Sequence, residues 1–191
     1  MVKIVVARYN ESIEWTTQFN DVAIYNKGDK LDGSYNEILL PNVGREGHTY
    51  YKYIHDNYDN LDDHTIFLQG NPFDHSPNII TNMKYIFDNM IHFKHNFLYL
   101  SEQILECNLY ECPHHKGIPI ADVYIKIFGN ISSNFTFKFG AGAQFIVSKP
   151  CILQKPKSFY LKIVKLLEYS INPIEGFVIE RFHPLIFLHN L

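Results

Sequence analysis

The sequence predicts an α/β protein, a single domain with a mainly parallel central sheet flanked by helices. Three observations carry this expectation. Short β-branched or apolar runs at residues 2–7, 22–25 and 65–69 alternate with stretches of helical periodicity at residues 45–58 and 77–90, the order that a parallel sheet with crossover helices requires. The run Thr65-Ile-Phe-Leu-Gln69 breaks abruptly into Gly70-Asn-Pro-Phe-Asp-His-Ser-Pro77. That places polar groups at the carboxyl end of a dry strand, where open α/β sheets bind ligands. Finally, 191 residues with 46% hydrophobic and 19% charged side chains fit one domain with a sizeable core. Thirteen Tyr and fifteen Phe make rings the expected core material.

Taken in order, residues 2–7 read as a β-branched strand followed by the polar burst Arg8-Tyr-Asn-Glu-Ser12. Residues 13–19 read as a short helix capped by Ser12. A second strand at 22–25 closes in the turn-like Asn26-Lys-Gly28, and a polar loop leads to an extended segment at 37–40, ended by Pro41. The helix over 45–58 places Tyr50, Tyr51, Ile54 and Tyr58 on one broad face. After the strand at 65–69, Ser76 is the expected cap of a helix starting at Pro77, with Ile80, Met83, Ile86, Phe87 and Met90 on its core stripe. In the second half, 97–100 reads as a strand, 102–117 as irregular and 120–128 as a helix. Strand-like segments at 135–139 and 144–148 flank Gly140-Ala-Gly-Ala143. Residues 156–169 are amphipathic, and 174–189 read as a last helix interrupted near Pro184. No repeat, low-complexity tract or linker divides the chain, so residues 1–191 are expected to form one domain.

Composition narrows the function. A formal net charge of −3 argues against nonspecific nucleic-acid binding, which needs many cations to displace phosphate counterions. Cys107, Cys112 and Cys151 have no metal-like spacing, and reduced thiols in a cytoplasmic protein are the expectation. No apolar run approaches the ~20 residues that span a bilayer. The amino-terminal apolar run is too short for a signal peptide.

Five polar clusters sit where strands should end. Asp74 and His75 could hold a cation, or could belong to a plain strand-to-helix turn. Arg8, Tyr9, Asn10 and Glu11 suit stacking on, or pairing with, a nucleotide, and equally suit a solvated turn. Asn42-Val-Gly-Arg-Glu-Gly-His48 offers two glycines around Arg45 and Glu46 at a helix start, where free N–H groups favour anions. Its spacing matches neither a Walker motif nor G-x-G-x-x-G. Gly140, Ala141, Gly142 and Ala143 either form a loose hairpin loop or make room for a ligand beside Gln144. His183 lies one helical turn from Glu180 and could complete a metal site with Asp74 and His75, or be a half-buried core histidine.

Several blocks, in order, resemble an uncharacterised domain-of-unknown-function family over nearly the whole chain. They are Val6-Ala-Arg-Tyr-Asn-Glu11, Tyr25-Asn-Lys-Gly28, Leu40-Pro-Asn-Val-Gly-Arg-Glu-Gly-His-Thr-Tyr50, Tyr58-Asp-Asn-Leu61, Phe67-Leu-Gln-Gly-Asn-Pro72 and Gly142-Ala-Gln-Phe-Ile-Val-Ser148. That family in turn looks like the glycosyltransferase A (GT-A) fold. The resemblance implies a nucleotide-binding half (residues 1–100), an acceptor and sugar half (101–191), a nucleotide-sugar donor, a glycan or glycoprotein acceptor, and a divalent metal, Mn²⁺ or Mg²⁺. Such enzymes usually present Asp-x-Asp after the fourth strand. Here the position reads Asn71-Pro-Phe-Asp74, which leaves a cation held by Asp74 alone, or none. The Asn- and Ile-rich composition fits an AT-rich genome such as that of a large DNA virus, which would place the protein in the host cytoplasm.

The expected function is therefore transfer of a sugar from a nucleotide-diphosphate donor. Nucleotide would be bound by Ala7, Arg8, Tyr9, Asn10, Glu11, Asn42, Gly44, Arg45 and Glu46. Sugar and diphosphate would lie against Gln69, Gly70, Asn71 and residues 140–144, with metal at Asp74, His75 and His183. Inversion needs a carboxylate base, for which Asp122 and Glu180 are the candidates. Retention would need none, and Gln144 would then line the reacting face. The alternatives are a non-catalytic nucleotide- or carbohydrate-binding module and a metal-dependent phosphohydrolase.

Overall fold

A computed structural model describes residues 1–131 and 133–188. Six strands form the central sheet: β1 (Val2–Arg8), β2 (Val22–Asn26), β3 (Glu37–Leu39), β4 (His64–Gln69), β5 (Phe97–Tyr99) and β8 (Phe145–Ser148). Their order is β3-β2-β1-β4-β8-β5. The first four are mutually parallel, whereas β8 runs antiparallel to both β4 and β5. The sheet is thus mixed and mostly parallel, as the alternation of elements predicts. A separate two-stranded antiparallel ribbon joins β6 (Ile104–Asn108) to β7 (Thr136–Gly140).

Helices cover both faces. On one lie α1 (Arg45–Asp56), α3 (Ile120–Phe128), α4 (Lys149–Leu153), α5 (Lys157–Leu167) and α6 (Ile174–Leu188). They pack on Val5, Phe67, Phe145 and Val147. On the other lie α2 (Ile79–Asp88) and a 3-10 turn at Glu14–Gln18, packed on Ile4, Val6, Ile66, Leu68 and Ile146. Alternate strand residues therefore feed two separate cores, the period-2 rule applied on both faces of one sheet. As the composition suggests, the first core is aromatic: Tyr50, Phe67, Phe97 and Phe145 interlock with ring centroids 4.9–5.9 Å apart.

Four local expectations need correction. The short helix expected over residues 13–19 is a 3-10 helix over Glu14–Gln18, with Ile13 rather than Ser12 at its cap. Ser76 caps nothing: its Oγ donates to the Leu100 carbonyl at 2.7 Å, and α2 begins two residues beyond Pro77, after Asn78. Within the segment read as irregular, residues 104–108 are a strand, because β7 supplies a partner that the unalternating Ile-Leu-Glu-Cys-Asn does not announce. Helix α6 runs through Pro184. A proline removes the N–H that would bond the carbonyl four residues back, here that of Glu180. His189, included in the expected helix, lies outside the described residues.

The topology locates a crevice. From β1 the chain moves to β2 and β3 on one side, then through α1 to β4 on the other. The connection to β2 runs over one face of the sheet and that to β4 over the opposite one. Adjacent crossovers that diverge in this way open a gap beyond the carboxyl ends of the two strands.

Candidate functional site

That gap holds a cleft of about 670 Å³, lined by Ala7, Arg8, Tyr9, Glu11, Lys27, Asn42, Arg45, Glu46, Gln69, Asn71, Asp74, Ile171 and Asn172. The size is that of small-molecule sites generally.

Its floor is built by three strand ends locked together. Arg8, the last residue of β1, donates from Nε to the Glu11 carbonyl (3.0 Å) and from Nη1 to the Tyr9 carbonyl (3.1 Å), the Asn26 side chain (2.7 Å) and the Asp29 carbonyl (2.9 Å). A guanidinium with so many fixed acceptors is a strut between the loops after β1 and β2. Gly28 lies so close beneath the first loop that a Cβ there would sit 1.6 Å from the Tyr9 carbonyl oxygen. The Glu11 carboxylate accepts from the Tyr9 N–H at 2.7 Å, and Trp15 Nε1 donates to the Gly70 carbonyl at 2.9 Å, tying in the end of β4.

The wall is the start of α1. Gly44, its N-cap, has φ 67°, and Arg45 follows with φ 53°. A non-glycine residue held left-handed costs about 1–2 kcal/mol, strain of the kind that collects at ligand sites. Lys27 secures this turn by donating to the Val43 carbonyl (2.6 Å) and to the Arg45 carbonyl. Burial pushes its amine down to about 8, opposed by the nearby Glu46 charge. The Arg45 guanidinium lies 4.2 Å over the Phe177 ring, donates to Asn172 Oδ1 at 3.0 Å and has Nε 3.7 Å from the Glu46 carboxylate. Burial raises the Glu46 carboxyl above its ordinary range; Arg45 opposes the shift and Glu180 reinforces it. Asp74, also in the lining, is exposed and accepts from Asn71 Nδ2 at 3.2 Å.

The fold thus gathers ten of the expected residues into one cleft: Ala7, Arg8, Tyr9, Glu11, Asn42, Arg45, Glu46, Gln69, Asn71 and Asp74. Others lie elsewhere. Asn10 is exposed and accepts the Asp29 N–H outside the cleft. Gly44 is buried under Leu167, and Gly70 lies behind the Glu11 carboxylate. Asp122 is exposed on α3 and does not line the cleft. Residues 140–143 are buried rather than a loose loop: a Cβ on Gly142 would sit 2.5–2.8 Å from the His75 side chain. Gln144 is buried, donating from Nε2 to the Pro72 carbonyl at 2.9 Å, and braces the loop after β4 from behind. His183 is 2% exposed, bonded through Nδ1 to the Tyr51 hydroxyl at 2.8 Å and packed on Phe145. It is a core histidine, and the expected grouping of Asp74, His75 and His183 does not form. Among the described residues no three His, Cys, Asp or Glu side chains cluster as a metal site.

Three lining residues escaped the sequence reading. Lys27 stands in a turn-like tripeptide that belongs to the family-like blocks and could have been found there. Ile171 and Asn172 come from the connection between α5 and α6 and carry no local signal. A family model described as a protein of unknown function (DUF3431) matches residues 4–191. The chain belongs to the DUF3431 family. No curated protein matches it. The match spans β1 to α6 and so includes every residue that lines the cleft. Among the described residues no helix is long and apolar enough to cross a membrane.

Proposed function

We propose that this chain is a glycosyltransferase of GT-A-like fold, moving a sugar from a nucleoside-diphosphate donor to a glycan or protein acceptor. The observation that carries the reading is the cleft at the topological switch, lined by Arg8, Lys27 and Arg45 together with Asp74. A departing diphosphate needs its developing charge stabilised by preorganised donors. Lys27 and Arg45 are held in place by carbonyls, an amide and a ring rather than by free rotation. Tyr9, half exposed at the rim, offers a ring face to a base or sugar.

A divalent cation fits this donor set. Mg²⁺-type sites commonly use one or two carboxylates and complete their shell with water and substrate phosphates. Asp74, alone among the carboxylates of the cleft, is exposed at the rim, with the Asn71 amide beside it. Bound there, Mn²⁺ or Mg²⁺ would supply charge neutralisation to the diphosphate. Arg45 and Lys27 would orient the same group from the wall.

Melting of the purified protein with UDP, GDP, CMP or dTDP, with and without Mn²⁺, tests the reading, followed by donor turnover on any hit. A bound nucleotide at a hundred times its Kd should stabilise the fold by about 2.7 kcal/mol. No shift with any nucleotide, together with no donor consumed, would overturn the reading. Asp74→Asn preserves size and removes one charge, so it should abolish metal-stimulated turnover while leaving the melting temperature near that of the wild type.

A further inference from the structure

Besides Asp74, the carboxylates lining the cleft are Glu11 and Glu46, and their surroundings differ sharply. Glu11 is engaged by the Tyr9 N–H. Glu46 sits in the first turn of α1 with its side chain 10% exposed. The sequence places Glu46 among the nucleotide-binding residues, but the diphosphate contacts proposed above do not use its carboxylate, which lies near Glu180 and Tyr50. Glu180 approaches from α6, its side chain 14% exposed. Its Oε1 accepts the Gly142 N–H at 2.7 Å and its Oε2 lies 3.3 Å from Arg181. Tyr50, one turn further along α1, is wholly buried, and its hydroxyl has no hydrogen-bond partner. Glu46 and Glu180 are the charges that bear on that hydroxyl. The two helices are in close contact here: a Cβ on Gly47 would meet Ile179 at 3.3 Å.

We propose that Glu46 is the base that takes the acceptor's hydroxyl proton, an inference that rests on the glycosyltransferase reading. The geometry separates the two carboxylates by role. Glu180 is pinned by a backbone amide and an arginine behind the cleft. Glu46 opens onto it. In the step, the acceptor O–H proton passes to the Glu46 carboxylate as the acceptor oxygen bonds the anomeric carbon. The bond from that carbon to the diphosphate oxygen breaks, and the nucleoside diphosphate leaves with its electron pair. A direct displacement of this kind inverts the anomeric centre.

The groups facing Glu46 are Arg45 and Tyr50 from α1, Lys27 from the end of β2 and Glu180 from α6. Burial and the second carboxylate make Glu46 hold a proton more tightly than a solvated glutamate, and Arg45 and Lys27 counter part of that. A base of this kind is matched to a hydroxyl better than a solvated carboxylate is. It also imposes an acid limb: transfer should fall as pH drops through the raised value, since only the deprotonated form can accept.

The test compares wild type with Glu46→Gln, Glu46→Asp and Glu180→Gln, reading nucleotide affinity by calorimetry and transfer against pH. Glu46→Gln should bind nucleotide within about threefold of wild type, lose about 10²–10⁴-fold in transfer and lose the acid limb. Glu46→Asp should keep the limb at reduced rate. Glu180→Gln should move the limb to lower pH with a smaller loss, which a purely structural contact would not do. Wild-type transfer by Glu46→Gln, with nucleotide still bound, would overturn this proposal and leave the glycosyltransferase reading standing. So would a wild-type rate that stays flat from neutral pH down into the ordinary range of a solvated glutamate, a result that needs no variant to fold. A wild-type protein that neither binds nucleotide nor turns over donor would overturn both.

Discussion

Arg8 and Arg45 both stand at strand or helix ends beside the same cleft, yet the structure uses them differently. Arg8 is consumed by four acceptors within the protein. A lysine can neither fork between them nor replace the planar donor set. Arg8→Lys should therefore cost about 1–3 kcal/mol of stability, read from urea unfolding, whatever its effect on ligands. Arg45 is anchored to Asn172 and Phe177 at the cleft wall. Arg45→Ala should weaken nucleotide binding by about 1–3 kcal/mol if the guanidinium holds a phosphate. Unchanged affinity in calorimetry, with the fold intact, would count against that role. Both arginines are legible as site residues in the sequence, because a polar burst behind an apolar strand is a local signal. Strut and ligand look alike in sequence, since the acceptors of Arg8 come from two loops whose closeness depends on Gly28. Gly28→Ala, which drives a methyl group into the Tyr9 carbonyl, should destabilise by about 3 kcal/mol or more and loosen the cleft floor with it.

At the scale of elements, α6 departs furthest from its sequence reading. From the sequence His183 is a candidate ligand because it lies one helical turn from Glu180, but residues 180–183 are buried or nearly so. Hydrophobic periodicity cannot recognise a helix covered on all sides. The buried ring also has a pH signature. Burial pushes His183 down to about 3 from an ordinary 6.5, so the folded state keeps it neutral where the unfolded chain would protonate it. Its stabilisation is fully present above pH 6.5 and is lost as pH falls toward 3, at up to about 1.4 kcal/mol per pH unit. His48, pushed down to about 4 by burial and by the charges of Lys27 and Lys52, acts in the same direction. Measured stability should fall steeply across this window, and His183→Phe should flatten the slope. An unchanged slope would mean that the acid sensitivity resides elsewhere.

For the whole molecule, alternating β and α signals sufficed to anticipate a mostly parallel sheet, and a parallel βαβ path with two divergent crossovers is enough to place a crevice. Direction and neighbour were not legible for β8. Its Phe-Ile-Val-Ser pattern reads the same in either orientation, and nothing local says that it will wedge between β4 and β5. The ribbon of β6 and β7 was half legible for a similar reason, because β6 has no pattern of its own and exists by pairing. The contributions of Ile171 and Asn172 were out of reach, since proximity across more than a hundred residues of chain is a product of helix packing and leaves no trace in neighbouring residues.

The wedge position of β8 also bears on the order of assembly. As the chain leaves the ribosome, β1 to β4 can pair among themselves early, but β5 then has no strand to join, since its sheet partner, residues 145–148, has yet to be made. For that interval β4 carries an open apolar edge and β5 is an orphan segment, and both invite mispairing with other chains. Closure comes when β8 enters between them, a long-range step that is intrinsically slow. Nascent chains stalled before residue 145 should accordingly be protease-sensitive over residues 97–99, with protection gained in one step once residues 145–148 have cleared the exit tunnel.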